Sequence, residues 1–128
     1  MPPTSRTTEP CEPFEAAMRL LGRRWAGAVV RAMLAGASRF AEIRAELPQI
    51  TDAVLATRLR ELCAMGLATR DVRSGTPVQV HYHLTAAGRD LAPVLEAIEE
   101  YGLKHERLLR GAPARARPGG GRGEAQGR

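Results

Sequence analysis

The sequence predicts a mainly α-helical chain carrying one small β-hairpin. Hydrophobic residues make up 44% of it and aromatics only 4%, so the apolar content is chiefly Leu, Ala, Val and Met, which suit helices better than sheets. Apolar positions recur at helical spacing from Phe14 to Met65, punctuated by Gly22, Gly36, Pro48 and Gly66. Beyond Gly66 the period changes to alternation on either side of Ser74-Gly75-Thr76-Pro77, which is turn chemistry between two strands. The length of 128 residues corresponds to one domain.

Taken in order, residues 1–10 lack periodicity and are expected to be flexible, and 11–110 form the folded domain. Pro13 suits a first helical position. Phe14, Ala17, Met18 and Leu21 then form one helical face that Gly22 ends. Trp25 is expected to open a second helix with Val29, Val30, Met33 and Leu34 on its apolar side. Ser38 caps or leads into a short third helix, where Phe40, Ile43 and Leu47 share a face and Pro48 is the stop. Thr51 is a favourable N-cap for a fourth helix. Leu55, Leu59 and Leu62, extended to Met65, are its core-facing stripe. The opposite side carries Ala53, Ala56, Thr57, Arg60 and Ala64, a slim and unobstructed surface.

Strands are expected over 67–73 and 78–84, with Val78, Val80 and Tyr82 alternating with Gln79, His81 and His83. Thr85 then caps a long last helix whose apolar side holds Leu91, Val94, Leu95, Ile98, Tyr101 and Leu108. Pro93 either kinks that helix or marks its first turn, leaving 86–92 as a separate turn. From Gly111 onward the chain is Gly, Ala, Pro and Arg, read as a disordered basic tail over 111–128. The order is therefore helix, helix, short helix, helix, hairpin, helix, and three compact helices followed by a two-stranded hairpin are the winged helix-turn-helix arrangement.

Charge and cysteine content narrow the function. The net charge is +5, and residues 19–73 hold ten arginines against five acids, whereas 1–18 and 86–110 are slightly acidic. A basic middle between acidic ends suits a polyanion-binding face with separate interaction helices. No apolar run approaches the roughly 20 residues of a membrane span, and the first residues carry no apolar stretch of a secretory signal. A cytoplasmic location is expected. Cys11 and Cys63 stand alone, in no metal-ligand spacing, and are read as free thiols. No nucleophile–base pair, phosphate-cradling Gly-rich loop or paired-carboxylate motif is present, so an enzyme is not expected and no cofactor is implied. His81 and His83 share a strand face, but without a third ligand nearby they do not make a metal site.

Several segments in register resemble the HxlR-type regulators. These are Cys11-Glu12-Pro13, Leu21-Gly22-Arg23-Arg24-Trp25, Ser38-Arg39-Phe40-Ala41-Glu42-Ile43, Leu47-Pro48-Gln49-Ile50-Thr51 and the run from Val54 to Leu62. Gly66-Leu67 and the run from Val80 to Leu91 continue the match, which covers about 11–105. The resemblance implies a homodimeric winged helix transcription regulator, with first and last helices forming the dimer interface. It departs from the family at the wing, where Gln79 stands in place of a frequent Arg and His81 in place of an acid.

A helix entering the major groove reads base edges with its N-terminal half. The expected DNA contacts are therefore Thr51, Asp52, Ala53, Ala56, Thr57 and Arg60. Arg58, about 160° around the helix from Arg60, is a phosphate contact or the partner of an internal acid. Arg73 and Gln79, flanking the wing tip, are the backbone candidates, with Arg39 and Arg44 on the third helix as lesser ones. Phe14, Leu95, Ile98, Tyr101 and His105 are the candidate dimer residues. Cys11 is the candidate redox sensor, at a position where some family members carry a sensing thiol, although Glu9 and Glu12 flank it. Cys63 is expected to be a buried structural thiol. The expected partners are double-stranded DNA, a second copy of the chain and an unidentified small-molecule or electrophile effector.

Overall fold

The computed structural model describes residues 9–116. The flexible start expected over 1–10 and the tail expected over 111–128 therefore lie largely outside the described residues. The elements are α1 (Glu12–Gly22), α2 (Ala26–Leu34), α3 (Phe40–Glu46), α4 (Asp52–Ala64), β1 (Ala68–Arg73), β2 (Gln79–Leu84), α5 (Ala86–Arg89), α6 (Leu91–Lys104) and α7 (Glu106–Ala116). The result is a mostly helical winged helix-turn-helix fold with a two-stranded antiparallel hairpin. The chain divides into two compact units after Ala92.

The first unit is built around one apolar core. Val29 and Val30 of α2, Ile43 of α3, Ile50, and Leu55, Leu59 and Leu62 of α4 are all nearly inaccessible. Ala68 and Leu84, opposite each other in the hairpin register, are buried at the base of the wing. The α4 stripe runs as the spacing predicts, but it stops at Leu62. Met65 is the C-cap residue beyond the last helical turn and stays 56% exposed, so it does not join the core.

Local chemistry explains the element boundaries. Trp25 does not lie inside α2; it is the N-cap, with φ of 76°. Its carbonyl accepts the first helical bond from Val29 N–H at 2.9 Å while its own backbone remains outside the helix. That φ is rare for a bulky residue, and the Arg24 guanidinium lies over the indole at 5.4 Å from the ring centroid. Of the two readings of Ser38, leading into α3 is the one realised, since Arg39 is the N-cap. The acid at the third position, Glu42, reaches back and accepts from the backbone N–H groups of Ser38 (3.0 Å) and Arg39 (3.1 Å), the acidic half of a capping box. Thr51 caps α4 as expected, its hydroxyl accepting from Val54 N–H at 3.2 Å.

The hairpin pairs from Ala68↔Leu84 at its base to Arg73↔Gln79 at its tip. Its second strand also ties back to the helical core. Tyr82 N–H donates to the Ser38 carbonyl at 2.7 Å, and Arg39 forms an antiparallel bridge with His81. The entry to α3 thus serves as a minimal third strand. At the other side of the wing base, Thr85 donates its hydroxyl to the Gly66 carbonyl at 2.7 Å and accepts from Gly88 N–H at 3.2 Å. Thr85 therefore caps the short α5 rather than a long final helix.

In the region read as one long last helix there are three helical segments, α5, α6 and α7. Pro93 is the third residue of α6, in the first turn, where its missing N–H leaves no helical bond unmade. The reading in which Pro93 marks a helix start is the correct one. α7 continues through Gly111 to Ala116, so the stretch 111–116 is helical rather than tail. Its Ala and Arg content favours helix enough to carry it past Gly111.

Gly88 packs directly on the turn after α4. A Cβ there would collide with the Leu67 carbonyl oxygen and press on the Leu84 side chain. Gly88→Ala is expected to destabilise the fold by about 1–3 kcal/mol, read as a lower urea midpoint with unchanged slope. A midpoint equal to that of the parent chain would show that the close approach is not required.

Candidate nucleic-acid interface

Burying Leu55, Leu59 and Leu62 fixes the rotation of α4 and turns the opposite side outward. Thr51, Asp52, Ala53 and Arg60 are exposed, and Ala56 and Thr57 are half-exposed between them. The side chains on this face are short except for Arg60, so a nucleic-acid groove could approach the helix backbone closely. The Thr57 hydroxyl donates to the Ala53 carbonyl at 3.0 Å and accepts from the Arg60 guanidinium at 3.3 Å. Arg60 is therefore held along the helix surface by a weak neutral acceptor, free to extend. Asp52 lies in the first turn of α4, where a negative charge complements the helix dipole. It also pairs with Arg44 at 2.7 Å.

Arg58 departs from the set of residues expected to face DNA. Its side chain is only 14% exposed. Nε donates to the Arg24 carbonyl at 2.8 Å and Nη1 to Glu61 at 3.1 Å. Of the two alternatives left open for it, pairing with an acid of its own domain is the one realised. The physical cause is the helical angle that separates it from Arg60 and turns it toward α1 and α2.

The hairpin sorts its residues by face. Asp71, Arg73, Gln79, His81 and His83 lie on one side, and Arg70, Val72, Val80 and Tyr82 on the other. Arg73 and Gln79 are cross-strand partners next to the tip, where the sequence places them. Arg73 pairs with Asp71 at 3.0 Å, and Gln79 contacts His81 at 3.2 Å. Arg39 at the entry of α3 pairs with Glu42 at 3.3 Å. Its strand partner His81 places its Nδ1 2.9 Å from the Ser38 hydroxyl. This connection between wing and helical core was missed in the sequence; its one signal was Glu42 three residues after a non-capping Arg39. Desolvation, then the charges of Arg73, Arg39 and His83, hold His81 below the ordinary imidazole value of 6.5, with Glu42 opposing them. The backbone N–H groups of Ser38 and Arg39 pull the Glu42 carboxyl down to about 2. Among the described residues no cluster of three His, Cys, Asp or Glu could hold a metal ion.

The sequence pattern of the HxlR-like helix-turn-helix family matches residues 20–108. The chain belongs to that family. It is 43% identical over 97 residues to the uncharacterised HTH-type transcriptional regulator YvaP of Bacillus subtilis, covering 76% of this chain and 90% of the relative. The reduced form of the transcriptional regulator YodB from B. subtilis superposes with a TM-score of 0.67 at 36% identity, over 73% of this chain and 92% of that one. The redox regulator HypR in its reduced form gives 0.72 at 35% identity, over 78% and 99%. YodB is also known after diamide treatment and HypR in an oxidised form. This HxlR-family chain is an HTH-type transcriptional regulator, in a family of regulators rather than enzymes. None of its described helices is long and apolar enough to cross a membrane.

In this HxlR-family protein the two thiols differ. Cys11 is exposed at the N-cap of α1. Cys63 is half-buried rather than fully buried, and desolvation pushes its thiol up, against the Arg70 charge. The candidate dimer residues divide as well. In α1 no residue is buried, and Phe14 is 58% exposed. In α6 Ile98 and Tyr101 are exposed, with the Tyr101 ring 4.7 Å from the half-buried His105. Leu95 is already buried in the single chain at 7% exposure, so it has little surface left for a partner.

Two expectations separate structural from contact roles. Arg58→Ala is expected to cost about 1–3 kcal/mol in urea unfolding, because it removes a largely buried guanidinium together with its bonds to the Arg24 carbonyl and Glu61, whereas Arg60→Ala stays within about 0.5 kcal/mol of the parent; equal costs would contradict the assignment. For His81, the folded group binds fewer protons than the unfolded one, so stability rises with pH and is lost as pH falls through about 6.5. His81→Gln is expected to flatten the melting temperature between pH 7 and 5, and an unaltered pH slope would refute that origin.

Proposed function

We propose that this regulator acts in the cytoplasm as a homodimer on double-stranded DNA, with α4 in the major groove and the β1–β2 wing against the flanking backbone. The observation that carries the reading is the exposed, short-side-chain face of α4 running from Thr51 to Arg60. An α-helix fits the major groove, and a guanidinium held only by a hydroxyl at 3.3 Å can turn to guanine O6 and N7. Thr57 offers a hydroxyl and a methyl to a base edge. Thr51, Asp52, Ala53 and Ala56 line the same approach. Arg39, Arg44, Arg73 and Gln79 are the backbone contacts. Two such helices in a symmetric dimer, about one DNA turn or roughly 34 Å apart, match a palindromic operator. The regulator is then a repressor or autoregulator.

Dimerisation is supported by apolar side chains that a single chain leaves in water. Phe14 and Met18 of α1, and Ile98 and Tyr101 of α6, are each about half or more exposed, with His105 at the edge of the second group. A redox response through Cys11 is supported by its exposure and by the redox regulator HypR among the similar structures.

Selection of bound duplexes from a random pool, followed by gel shifts, tests the DNA reading. Arg60→Ala is expected to lose about 1–3 kcal/mol of affinity for the selected site and to relax its specificity there; normal binding would remove Arg60 from the contact set, and no selected duplex at low salt would sink the reading. Ile98→Asp is expected to give a folded monomer by sedimentation, and a persisting dimer would move the interface elsewhere. Diamide, which joins two thiols into a disulfide, is expected to weaken operator binding of the parent but not of Cys11→Ser; an equal response in both would exclude Cys11.

A further inference from the structure

The first unit contains a groove of about 530 Å³ between α1 and the C-terminal half of α4, also lined by Ala26 at the start of α2. Its walls are mainly apolar, with Leu20 and Met65 the large apolar side chains that are accessible there, whereas Leu62 is nearly inaccessible. Around it stand three arginines, Arg19, Arg23 and Arg58, and a single acid, Glu61. Glu61 is shared: one oxygen lies 2.7 Å from Arg23 and the other 3.1 Å from Arg58. One carboxylate thus serves two guanidinium groups, and Arg19 has no ion pair among the described residues. The rim carries an excess of positive charge above an apolar floor. A volume of this size is in the range of small-molecule sites.

We infer that this groove is a binding site for a small amphipathic carboxylate, its apolar body against Leu20 and Met65 and its anionic head on Arg19 and Arg23. Guanidinium groups bind carboxylates with charge-assisted, often bidentate hydrogen bonds. Arg23 is half-exposed and can turn from Glu61 toward an incoming head, while Arg58 keeps Glu61 paired. The groove is distinct from the surface assigned to the second copy. Ala16, Leu20 and Arg23 lie on one side of α1, whereas Phe14, Met18 and Leu21 recur about half a turn away. Arg58, Glu61 and Leu62 belong to α4, so a bound carboxylate touches the helix assigned to DNA; that coupling rests on the DNA reading above, and the binding itself does not.

Calorimetric titration of the full chain, without DNA, tests the site with octanoate and 2-naphthoate as probes and octylammonium as the opposite-charge control. Saturable binding of a carboxylate, one per chain, with no binding of octylammonium, is the expected result. Octanoate and 2-naphthoate separate an aliphatic from an aromatic body. Arg19→Gln is expected to weaken binding about tenfold, and Ala16→Trp, which fills the groove, to abolish it while the chain remains folded and dimeric. No saturable binding, equal binding of octylammonium, or an undiminished affinity in both variants would overturn the site. If Ala16→Trp instead dissociates the dimer, the groove is occupied by the second copy and the carboxylate site is wrong. Adding the probe to a complex with the selected duplex reads the coupling alone: a changed affinity supports it, and an unchanged one at saturating probe removes the coupling.

Discussion

Leu55, Leu59 and Leu62 are each no more than 1% exposed, and their spacing puts all three on one line of α4. Burying a leucine stabilises by about 1.5–3 kcal/mol, so rotating α4 to bring a different side inward would forfeit several such terms at once. The helix is therefore locked about its own axis. Every polar assignment on it follows from that lock. Arg60 and Thr57 point out because the leucines point in, and Arg58, on a third direction, meets the Arg24 carbonyl and Glu61. The wing inherits its position from the same core, since Gly66 and Leu67 follow α4 immediately and accept bonds from Thr85 at the far end of the hairpin.

The helices were legible because their boundaries are chemical. Thr51 before the leucine stripe, Pro48 after α3 and Gly66 after α4 each mark a boundary through a local property of one residue. What was less legible depends on which distant group a side chain meets. Ser38 reads as a residue that caps or leads into α3, and only the fold brings its carbonyl to Tyr82 and its hydroxyl to His81, more than forty positions away. Leu95 and Ile98 sit on one periodic stripe, yet one is buried and the other exposed. Periodicity identifies a face, not how much of that face the single chain covers. The groove beside α1 was invisible for the same reason, because Arg19 and Glu61 come from helices that no sequence spacing connects.

The count of arginines in 19–73 overstates the charge available to a polyanion such as the DNA of the proposed function. Arg23 and Arg58 converge on Glu61, Arg39 is bound to Glu42, Arg44 to Asp52 and Arg73 to Asp71. These pairs are not equivalent. The Arg39, Arg44 and Arg73 side chains are 38–50% exposed, and exposed pairs contribute about 0–1 kcal/mol. A phosphate competes easily with such a partner, and the acid left behind returns to water at small cost. Arg58 is the opposite case: 14% exposed and bonded to both a backbone carbonyl and Glu61, it would have to abandon two acceptors and its own burial to reach a phosphate. The same reasoning ranks Arg60, whose partner is a threonine hydroxyl at 3.3 Å, as the arginine of α4 most easily recruited. Exposure of the competing pair, rather than the presence of a positive charge, decides which basic residues of this domain can act on a nucleic acid.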